Sequence, residues 1–258
     1  MCTISWFISS EGYRVFFNRD EQVTRPKAIP PKVIVENDIG TIMPVDPQGG
    51  GTWCAVNEYG FTFALLNFYQ GRLPKGRLIS RGKLVRACAG FRRAEHAHEY
   101  VSALNLAKYA PFSLLCFSPR SELADVNNTL NTPLQEVARV TMMRWTGKEL
   151  IETEQSCPLI SSAVRYDEVY ESRLTVYKTI FDGKSTENKT VEDYQELHAS
   201  HLPGRSSHSI CMHRDDAQTV SFSQIEVTDK DVQFFYSDGP PCEAAIEKYA
   251  SLKRAFPS

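Results

Sequence analysis

The sequence predicts an α+β fold, in which antiparallel strands and helices occupy separate stretches of the chain. Two observations indicate this class. The elements run as strands, two helices, strands, two helices, strands and one helix, and strand and helix do not alternate regularly as in a parallel sheet. Two sheets packed on each other, with helices outside, would bury this many strands. The 258 residues, 42% of them hydrophobic, can build one domain or at most two. We expect one domain over residues 1–258, because no linker or repeat divides them.

The first 70 residues predict strands joined by short turns. "CTISWFI" and "YRVFF" are expected to form a hairpin around "SSEGY". "RPKAIPPK" and "DPQGGG" predict loops, because they are rich in proline and glycine. "TWCAV" and "FTFALLNF" predict two further strands, joined by the turn "NEYG".

Apolar residues at helical spacing begin near residue 78. "LISRGKLVRACAGF" and "AEHAHEYVSALNLAKY" predict a pair of helices. The strand "FSLLCF", a hairpin in "VARVTMMRWTGKELIETE" and the buried strand "CPLISSAV" are expected next. "YDEVYESRLTVYKTIF" and "TVEDYQELHASHL" predict a second helix pair, the latter opened by Thr190 and Asp193 in a near capping-box pattern. We expect "SHSICMH", "TVSFSQIEV" and "VQFFYS" to be strands and "PPCEAAIEKYASLKRAF" to be a final helix.

Composition excludes several classes of partner. The formal net charge is −2, without a long run of like charge, so nucleic acid is not an expected partner. No apolar run approaches the roughly 20 residues that span a membrane, so we expect no integral membrane segment. The N-terminal residues lack the features of a secretory signal. Seven cysteines, an odd number without a CxxC pair, favour reduced thiols and a cytoplasmic location.

Cys2 is the first candidate for chemistry. Removal of Met1 would leave an α-amino group beside the thiol, and a pKa of about 7.7–8.0 makes this amine partly unprotonated at neutral pH. The amine could accept the thiol proton, and the resulting thiolate could attack a carbonyl. Alternatively, Cys2 only packs in the first strand, as free cysteines commonly do.

The tetrad "NRDE", from Asn18 to Glu21, ends the second strand of the hairpin that begins at Cys2. Antiparallel pairing returns the end of this strand to Cys2, so Arg19 and Asp20 are expected beside the thiol. The Arg19 guanidinium would lower the thiol pKa, and the Asp20 carboxylate would hold and orient the α-amine. A charged surface turn is the alternative.

Asn67 lies near the end of the otherwise apolar strand "FTFALL". An amide there costs free energy unless it is hydrogen-bonded. Its NH₂ group could donate to an oxyanion, an effect worth roughly 3–4 kcal/mol; alternatively it bonds the neighbouring backbone. The glycines of "GGG" would allow a loop to approach this site closely, although no Walker motif follows them.

The motifs "MCTI", "NRDEQVTRP", "GGGTW" and "LLN" occur in this order and together resemble the NRDE family, whose eukaryotic members are the transport and Golgi organisation proteins. The resemblance covers about the first 70 residues. The family is in turn similar to N-terminal-nucleophile hydrolases of the choloylglycine hydrolase and penicillin acyltransferase kind. This resemblance implies a four-layer αββα sandwich, which agrees with the order of elements.

The resemblance also implies roles for individual residues. Cys2 would be the nucleophile of an amidohydrolase or acyltransferase, Arg19 and Asp20 would support it, and Asn67 would donate to the oxyanion. The hydrolases have the order Arg-Asn-x-Asp where this chain has "NRDE", so either Asp20 or Glu21 would be the supporting carboxylate.

Two further positions complete the expected site. A second oxyanion donor would come from "LISSAV", as Ser161 or Ser162. We expect Ser162 and Arg173 to be substrate-binding residues by the same resemblance. The implied substrate is a small-molecule amide or thioester, and no cofactor is expected.

A second hypothesis is a non-catalytic carrier of lipid, acyl-CoA or haem on the same scaffold. Retained Met1 would block the Cys2 amine and favour this alternative, in which the thiol could ligate haem iron. No metal site is expected, because the candidate ligands lack a familiar zinc spacing. These candidates are His198, His201, His208 and Cys211.

Overall fold

The computed structural model describes residues 1–119, 137–155, 157–185 and 188–256. Its strands are β1 (Cys2–Ser9), β2 (Gly12–Gln22), β3 (Ile29–Glu36), β4 (Ile39–Val45), β5 (Cys54–Asn57), β6 (Thr62–Asn67), β7 (Phe112–Pro119), β8 (Ala138–Trp145), β9 (Leu150–Glu154), β10 (Leu159–Ser161), β11 (Ala217–Thr228), β12 (Asp231–Ser237) and β13 (Glu247–Lys253). Its helices are α1 (Gly82–Ala89), α2 (Ala94–Ala103), α3 (Tyr166–Ile180) and α4 (Val191–Ala199), with a short 3-10 helix at Leu106–Lys108.

The described strands form two antiparallel sheets. Sheet A has the order β10-β1-β2-β11-β12-β13, and sheet B has the order β3-β4-β5-β6-β7-β8-β9. None of the helices in these ranges is long and apolar enough to cross a membrane.

Three apolar cores among the described residues hold the layers together. Alternating residues of β1 point to opposite faces of sheet A, so Ile4 and Trp6 pack against sheet B while Phe7 packs against α3 and α4. A third core joins the other face of sheet B to α1 and α2. Burying each large apolar side chain contributes roughly 1.5–3 kcal/mol. The layers therefore follow the order helix, sheet, sheet, helix, and the predicted αββα sandwich is confirmed.

The predicted first hairpin is confirmed as β1 and β2. Its turn needs glycine, because Gly12 has a φ of +138° and an added Cβ would lie 2.0 Å from the Val227 carbonyl oxygen. The full-length pairing of β2 with β11 then places the end of the hairpin inside sheet A.

The predicted helix pairs are present, and the Thr190–Asp193 capping box is formed at the start of α4.

Three other predictions were wrong. "RPKAIPPK" is only partly a loop, because Pro30 and Pro31 lie within β3. An edge strand with a bulge tolerates proline, and β3 is an edge strand whose register shifts between Ile29 and Lys32.

The predicted strand "SHSICMH" is a loop with a single bridge at His213. The predicted final helix is absent; its stretch holds turns and then β13, which pairs with β12 along the edge of sheet A. Its Ala250 and Leu252 pack partly against the core between the sheets. Edge pairing and this alternate burial therefore outweigh the helical preference of the sequence.

Candidate active site

Cys2 begins β1, an interior strand of sheet A. It lies opposite Arg19 on β2 and opposite Ser161 on β10. The Asp20 N–H donates to the Met1 carbonyl at 3.1 Å, which makes Cys2 and Arg19 a non-hydrogen-bonded pair. Side chains in such pairs are the closer of the two antiparallel kinds. The predicted proximity of Arg19 to Cys2 is confirmed.

A cavity of about 530 Å³ opens beside Cys2. Asn67 at the end of β6 is part of its wall, as are Trp53, Tyr69 and Arg81. The Asn67 Nδ2 donates to the Tyr69 hydroxyl at 2.8 Å. This volume lies within the range of roughly 300–1,000 Å³ that small-molecule sites occupy. The hairpin and sheet B therefore place Cys2 and Asn67 at one cavity, as predicted.

Arg19 is held on the cavity side of sheet A by two contacts. Its guanidinium lies over the Trp53 ring at 4.3 Å from the centroid, and its Nη2 is 3.7 Å from a Glu21 carboxylate oxygen. Trp53 is a cavity residue for which the sequence analysis assigned no role. Its position in "GGGTW", beside the glycine loop, was the signal for a role at the site.

The Asp20 carboxylate points away from the cavity. Its Oδ2 lies 3.1 Å from Arg173 Nη2, and its Oδ1 accepts a hydrogen bond from the Thr219 hydroxyl at 2.7 Å. Successive strand residues face opposite sides, so Arg19 shares the face of Cys2 and Asp20 does not. The expected role of Asp20 in orienting the Cys2 amine does not fit this geometry.

Asp20 and Glu21 both border the cavity, but only Glu21 shares the sheet face of Arg19, because the Asp20 carboxylate is bonded to Arg173 and Thr219. Glu21 accepts ion-pair contacts from Arg19 and, at 3.5 Å, from Arg25. Arg25 also binds Asp46 at 2.6 Å. The sequence did not decide whether Asp20 or Glu21 supports the thiol. The side chain of Glu21 lies on the face of sheet A that also carries the Cys2 thiol.

Arg173 is fully buried and lies outside the cavity wall. Its Nη1 donates to the Thr3 hydroxyl at 2.6 Å and its Nη2 donates to the Ser207 carbonyl at 3.1 Å. The substrate-binding role expected for Arg173 does not fit this position. It instead neutralises Asp20 in the layer between sheet A and α3.

The two serines of "LISSAV" differ in their contacts. Ser161 lies opposite Cys2, and its buried hydroxyl has no hydrogen-bond partner among the described residues. Ser162 donates to the Met1 sulfur at 2.9 Å and contacts the Val164 carbonyl. Neither serine belongs to the cavity wall: Ser162 lies next to Met1, while Ser161 lies opposite Cys2 and offers a hydroxyl without a partner among the described residues.

The electrostatics of Cys2 differ from the expectation. Burial raises the pKa of the Cys2 thiol above its ordinary value, and the Asp20 charge acts in the same direction. The Met1 amine, the Asp20 backbone N–H and Arg19 act to lower this pKa, but burial outweighs them. A thiol in this environment needs an adjacent base to become a nucleophile.

Arg81 is a cavity residue that sequence analysis missed. Its Nη1 donates to the Pro111 carbonyl at 2.8 Å, and no carboxylate within the described ranges forms an ion pair with it. Burial lowers the pKa of Arg81, while nearby Tyr69, Cys2 and Glu21 act to raise it. It follows the stretch "LIS" at the start of a predicted helix, where nothing marks it as functional.

The glycine loop reaches the cavity through close backbone contact. The Thr52 N–H donates to the Gly82 carbonyl at 3.1 Å, and a Cβ at Gly51 would lie 2.3 Å from the Gly82 carbonyl carbon. Glycine is therefore required at the meeting of this loop with the start of α1. The expected close approach of the loop to the site is confirmed.

The candidate metal ligands separate into two groups. His198 is fully buried, with Nε2 at 2.7 Å from the Ser5 hydroxyl, and burial lowers its pKa to about 3. His208 lies 3.6 Å from Glu168. His201 and Cys211 instead meet two residues that were not predicted, His213 and Cys242.

Solved structures with this arrangement of layers define the class of the fold. A mutant conjugated bile acid hydrolase from Clostridium perfringens has a TM-score of 0.56 at 10% identity, over 97% of each chain. Penicillin V acylase from Agrobacterium tumefaciens has a TM-score of 0.51 at 10% identity, over 92% of this chain and 83% of that one. The Caenorhabditis elegans ortholog of N-acylethanolamine-hydrolyzing acid amidase has a TM-score of 0.53 at 9% identity, over 87% and 92%. The fold is that of the N-terminal-nucleophile hydrolases.

Within that class, the family described as Transport and Golgi organisation 2 matches residues 1–226. The chain belongs to this family, as the resemblance of the first 70 residues predicted. No curated protein sequence matches the chain.

Proposed function

We propose that this protein is an N-terminal cysteine amidohydrolase or acyltransferase that acts on a small-molecule amide or thioester. The observation that carries the proposal is the meeting of Cys2, Arg19 and Asn67 at one cavity. The fold supports it, because the similar solved structures are named as a hydrolase, an acylase and an amidase.

The active form of the enzyme is produced by removal of Met1, before any substrate binds. In the non-hydrogen-bonded pair with Arg19, the backbone groups of Cys2 point towards β10, so the freed amine would face Ser161. Burial raises the pKa of the thiol, and the α-amine, with a pKa of about 7.7–8.0, is the base that can take its proton.

The thiolate then attacks the substrate carbonyl, forming a C–S bond and a tetrahedral oxyanion. Asn67 Nδ2 would donate to this oxygen, and the free Ser161 hydroxyl is the candidate for a second donor. Collapse expels the amine or thiol, which leaves with the proton held by the α-amine. Water, or an acceptor nucleophile, resolves the acyl-thioester and restores the thiol.

The charges of the cavity favour a substrate with an anionic group. Arg25 pairs with Asp46 and Arg19 pairs with Glu21, whereas Arg81 has no carboxylate partner among the described residues. A carboxylate or phosphate on the substrate would supply that partner, and a planar guanidinium suits either group.

The same cavity supports a second candidate, a non-catalytic carrier of an acyl thioester. The specific observation is that Met1 fits the site, with its carbonyl bonded to the Asp20 N–H and its sulfur to Ser162. The unpaired Arg81 would again hold an anionic group. For haem, the ligand expected from the sequence is the Cys2 thiol; His198 offers no second ligand, because its ring is buried and bonded to Ser5.

The test is labelling of purified protein with an alkyne-tagged fatty acyl thioester, followed by peptide mapping and intact-mass measurement. We expect an acyl adduct on Cys2, only in chains that have lost Met1. Cys2→Ala should abolish labelling, while the matched control Cys157→Ser should retain it. Labelling that persists in Cys2→Ala, or that occurs on chains retaining Met1, would contradict the proposal. Reversible binding of the thioester without an adduct would favour the carrier.

A further inference from the structure

Four side chains that the proposed reaction does not use meet beyond the end of α4. Cys211 Sγ lies 3.4 Å from Cys242 Sγ. His213 Nε2 lies 3.6 Å from Cys211 Sγ and 3.3 Å from Cys242 Sγ. His201 completes the group, and one ligand atom from each residue lies within 4.8 Å of all the others.

Three members of this cluster contact one another, and the ring of the fourth, His201, is left without a hydrogen bond at Nε2 among the described residues. This Nε2 atom is buried. Both cysteines are free thiols. A buried imidazole nitrogen without a partner costs free energy, so its position beside two thiols and a second imidazole calls for a shared partner.

The distances agree with a tetrahedral zinc site. Zn–S bonds of about 2.3 Å and Zn–N bonds of about 2.0–2.1 Å set S···S edges of about 3.8 Å and S···N edges of about 3.6 Å. The observed S···S distance is 3.4 Å and the two S···N distances are 3.6 and 3.3 Å. Three of the donor–donor distances thus lie within about 0.4 Å of the tetrahedral values, and the His201 ligand atom lies within 4.8 Å of the other three donors.

We infer that His201, Cys211, His213 and Cys242 form a Cys₂His₂ site for Zn²⁺. On binding, each thiol loses its proton to solvent, and the two thiolates balance the charge of the ion. Two thiolates and two imidazoles suit zinc, and four protein ligands leave no open position for substrate. The site is therefore structural and not catalytic.

The zinc ion would tie together three segments of chain. His201 follows α4, Cys211 and His213 lie in the loop before β11, and Cys242 lies between β12 and β13. The sequence separation explains why no familiar ligand spacing is present.

The loop held by the ion also supports the far side of the candidate active site. The Ser207 carbonyl accepts from Arg173, and the Met212 N–H donates to Thr219 Oγ1, which in turn bonds Asp20. Zinc would thus stabilise the layer behind Cys2 without entering the cavity.

The experiment is elemental analysis of full-length protein purified without a metal-binding tag. We expect close to one equivalent of zinc per chain, lost in Cys242→Ser and in His213→Gln. Cys157→Ser and His208→Gln are matched controls outside the cluster and should keep the metal. Reconstitution of metal-free wild type with Co²⁺ should give the intense visible bands and the thiolate charge-transfer band of tetrahedral Cys₂His₂ coordination.

Two results would overturn the inference. The first is wild-type protein that holds no zinc after dialysis and shows no tetrahedral spectrum on addition of Co²⁺. The second is non-reducing peptide mapping that joins Cys211 to Cys242 by a disulfide in protein prepared under reducing conditions. The cobalt spectrum uses wild-type chain, so the inference stays testable if a ligand variant fails to fold.

Discussion

The two thiol sites of this protein differ in what surrounds the sulfur. Cys2 lies alone at the edge of a cavity, with the Arg19 guanidinium opposite it on the next strand. Cys211 and Cys242 lie 3.4 Å apart, closed in by imidazole rings. The first site has a cavity of about 530 Å³ beside the thiol, which can hold a substrate. At the second site four donor atoms lie within 4.8 Å of one another, a spacing suited to a single ion.

The comparison shows that the chemistry of a thiol depends on the groups around it more than on its burial. Burial raises the pKa of Cys2 and also that of Cys211. In the proposed reaction, the α-amine of Cys2 removes the proton from the thiol of the same residue. At Cys211 the proposed zinc ion stabilises the thiolate by binding it directly.

The largest effect is expected from Cys2→Ala. Loss of the nucleophile should lower kcat by about 10⁴-fold or more, because the other site residues act only through it. Hydrolysis of an acyl thioester followed by thiol release measures it, with Cys157→Ser as the control. Retention of even a tenth of the wild-type rate would assign the chemistry to another group.

Asp20→Asn should lower the free energy of unfolding by about 3–5 kcal/mol. The substitution leaves the Arg173 guanidinium buried without its counter-charge. Urea denaturation monitored by circular dichroism measures the change. Glu21→Gln on the cavity face is the matched control and should cost less than about 1 kcal/mol, because its ion pairs are partly exposed. Equal costs for the two variants would contradict the opposite placement of their side chains.

Removal of zinc should lower the thermal stability of the wild type but not of Cys242→Ser. A ligand present at about 1,000 times its Kd contributes about 4 kcal/mol to the folded state. Differential scanning calorimetry with and without a chelator measures the shift in Tm. A chelator that shifts both proteins equally would act elsewhere than on this cluster.

Arg81→Met should raise KM for an anionic acyl thioester by about tenfold, a loss of about 1.4 kcal/mol. The reason is loss of the cavity cation that has no carboxylate partner among the described residues. A neutral thioester of equal acyl length is the control substrate, and its KM should change little. Equal changes for both substrates would show that Arg81 shapes the cavity without recognising charge.

The smallest effect concerns the Cys2 thiol in chains that retain Met1. Because burial raises its pKa, alkylation by iodoacetamide should accelerate as the pH rises through neutral and into the alkaline range. Arg19→Met should slow this alkylation at pH 8 severalfold, since it removes a positive charge that lowers the pKa of the Cys2 thiol. Lys27→Met, at the surface, is the control. An unchanged rate in Arg19→Met would contradict the electrostatic contact.

Much of the fold follows from local pattern, and the exceptions have physical causes. The β1–β2 hairpin and the capped helix α4 were predictable because their signals lie within a few residues of each other. β13 was not, since its alanine, glutamate, leucine and two lysines favour helix in isolation and only pairing with β12 makes it a strand.

The candidate site was predictable in part for the same reason. Cys2 and Arg19 are brought together by one hairpin, so their pairing follows from the sequence. The side on which Asp20 lies follows from strand alternation, a signal present in "NRDE" that the family resemblance overrode. The cluster of His201, Cys211, His213 and Cys242 depends on long-range sheet pairing, and no short spacing in the chain reveals it.

The interior position of β1 sets a time limit on maturation. In the folded sheet, Met1 is held through its carbonyl and its sulfur, so an aminopeptidase reaches it most easily before β10 docks. About 160 residues separate Cys2 from β10. At roughly 5–20 residues per second, synthesis of that stretch takes roughly 8–30 s. The proposed removal of Met1 therefore competes with folding, and slower removal would yield a larger fraction of chains whose Cys2 α-amine stays blocked for the life of the molecule.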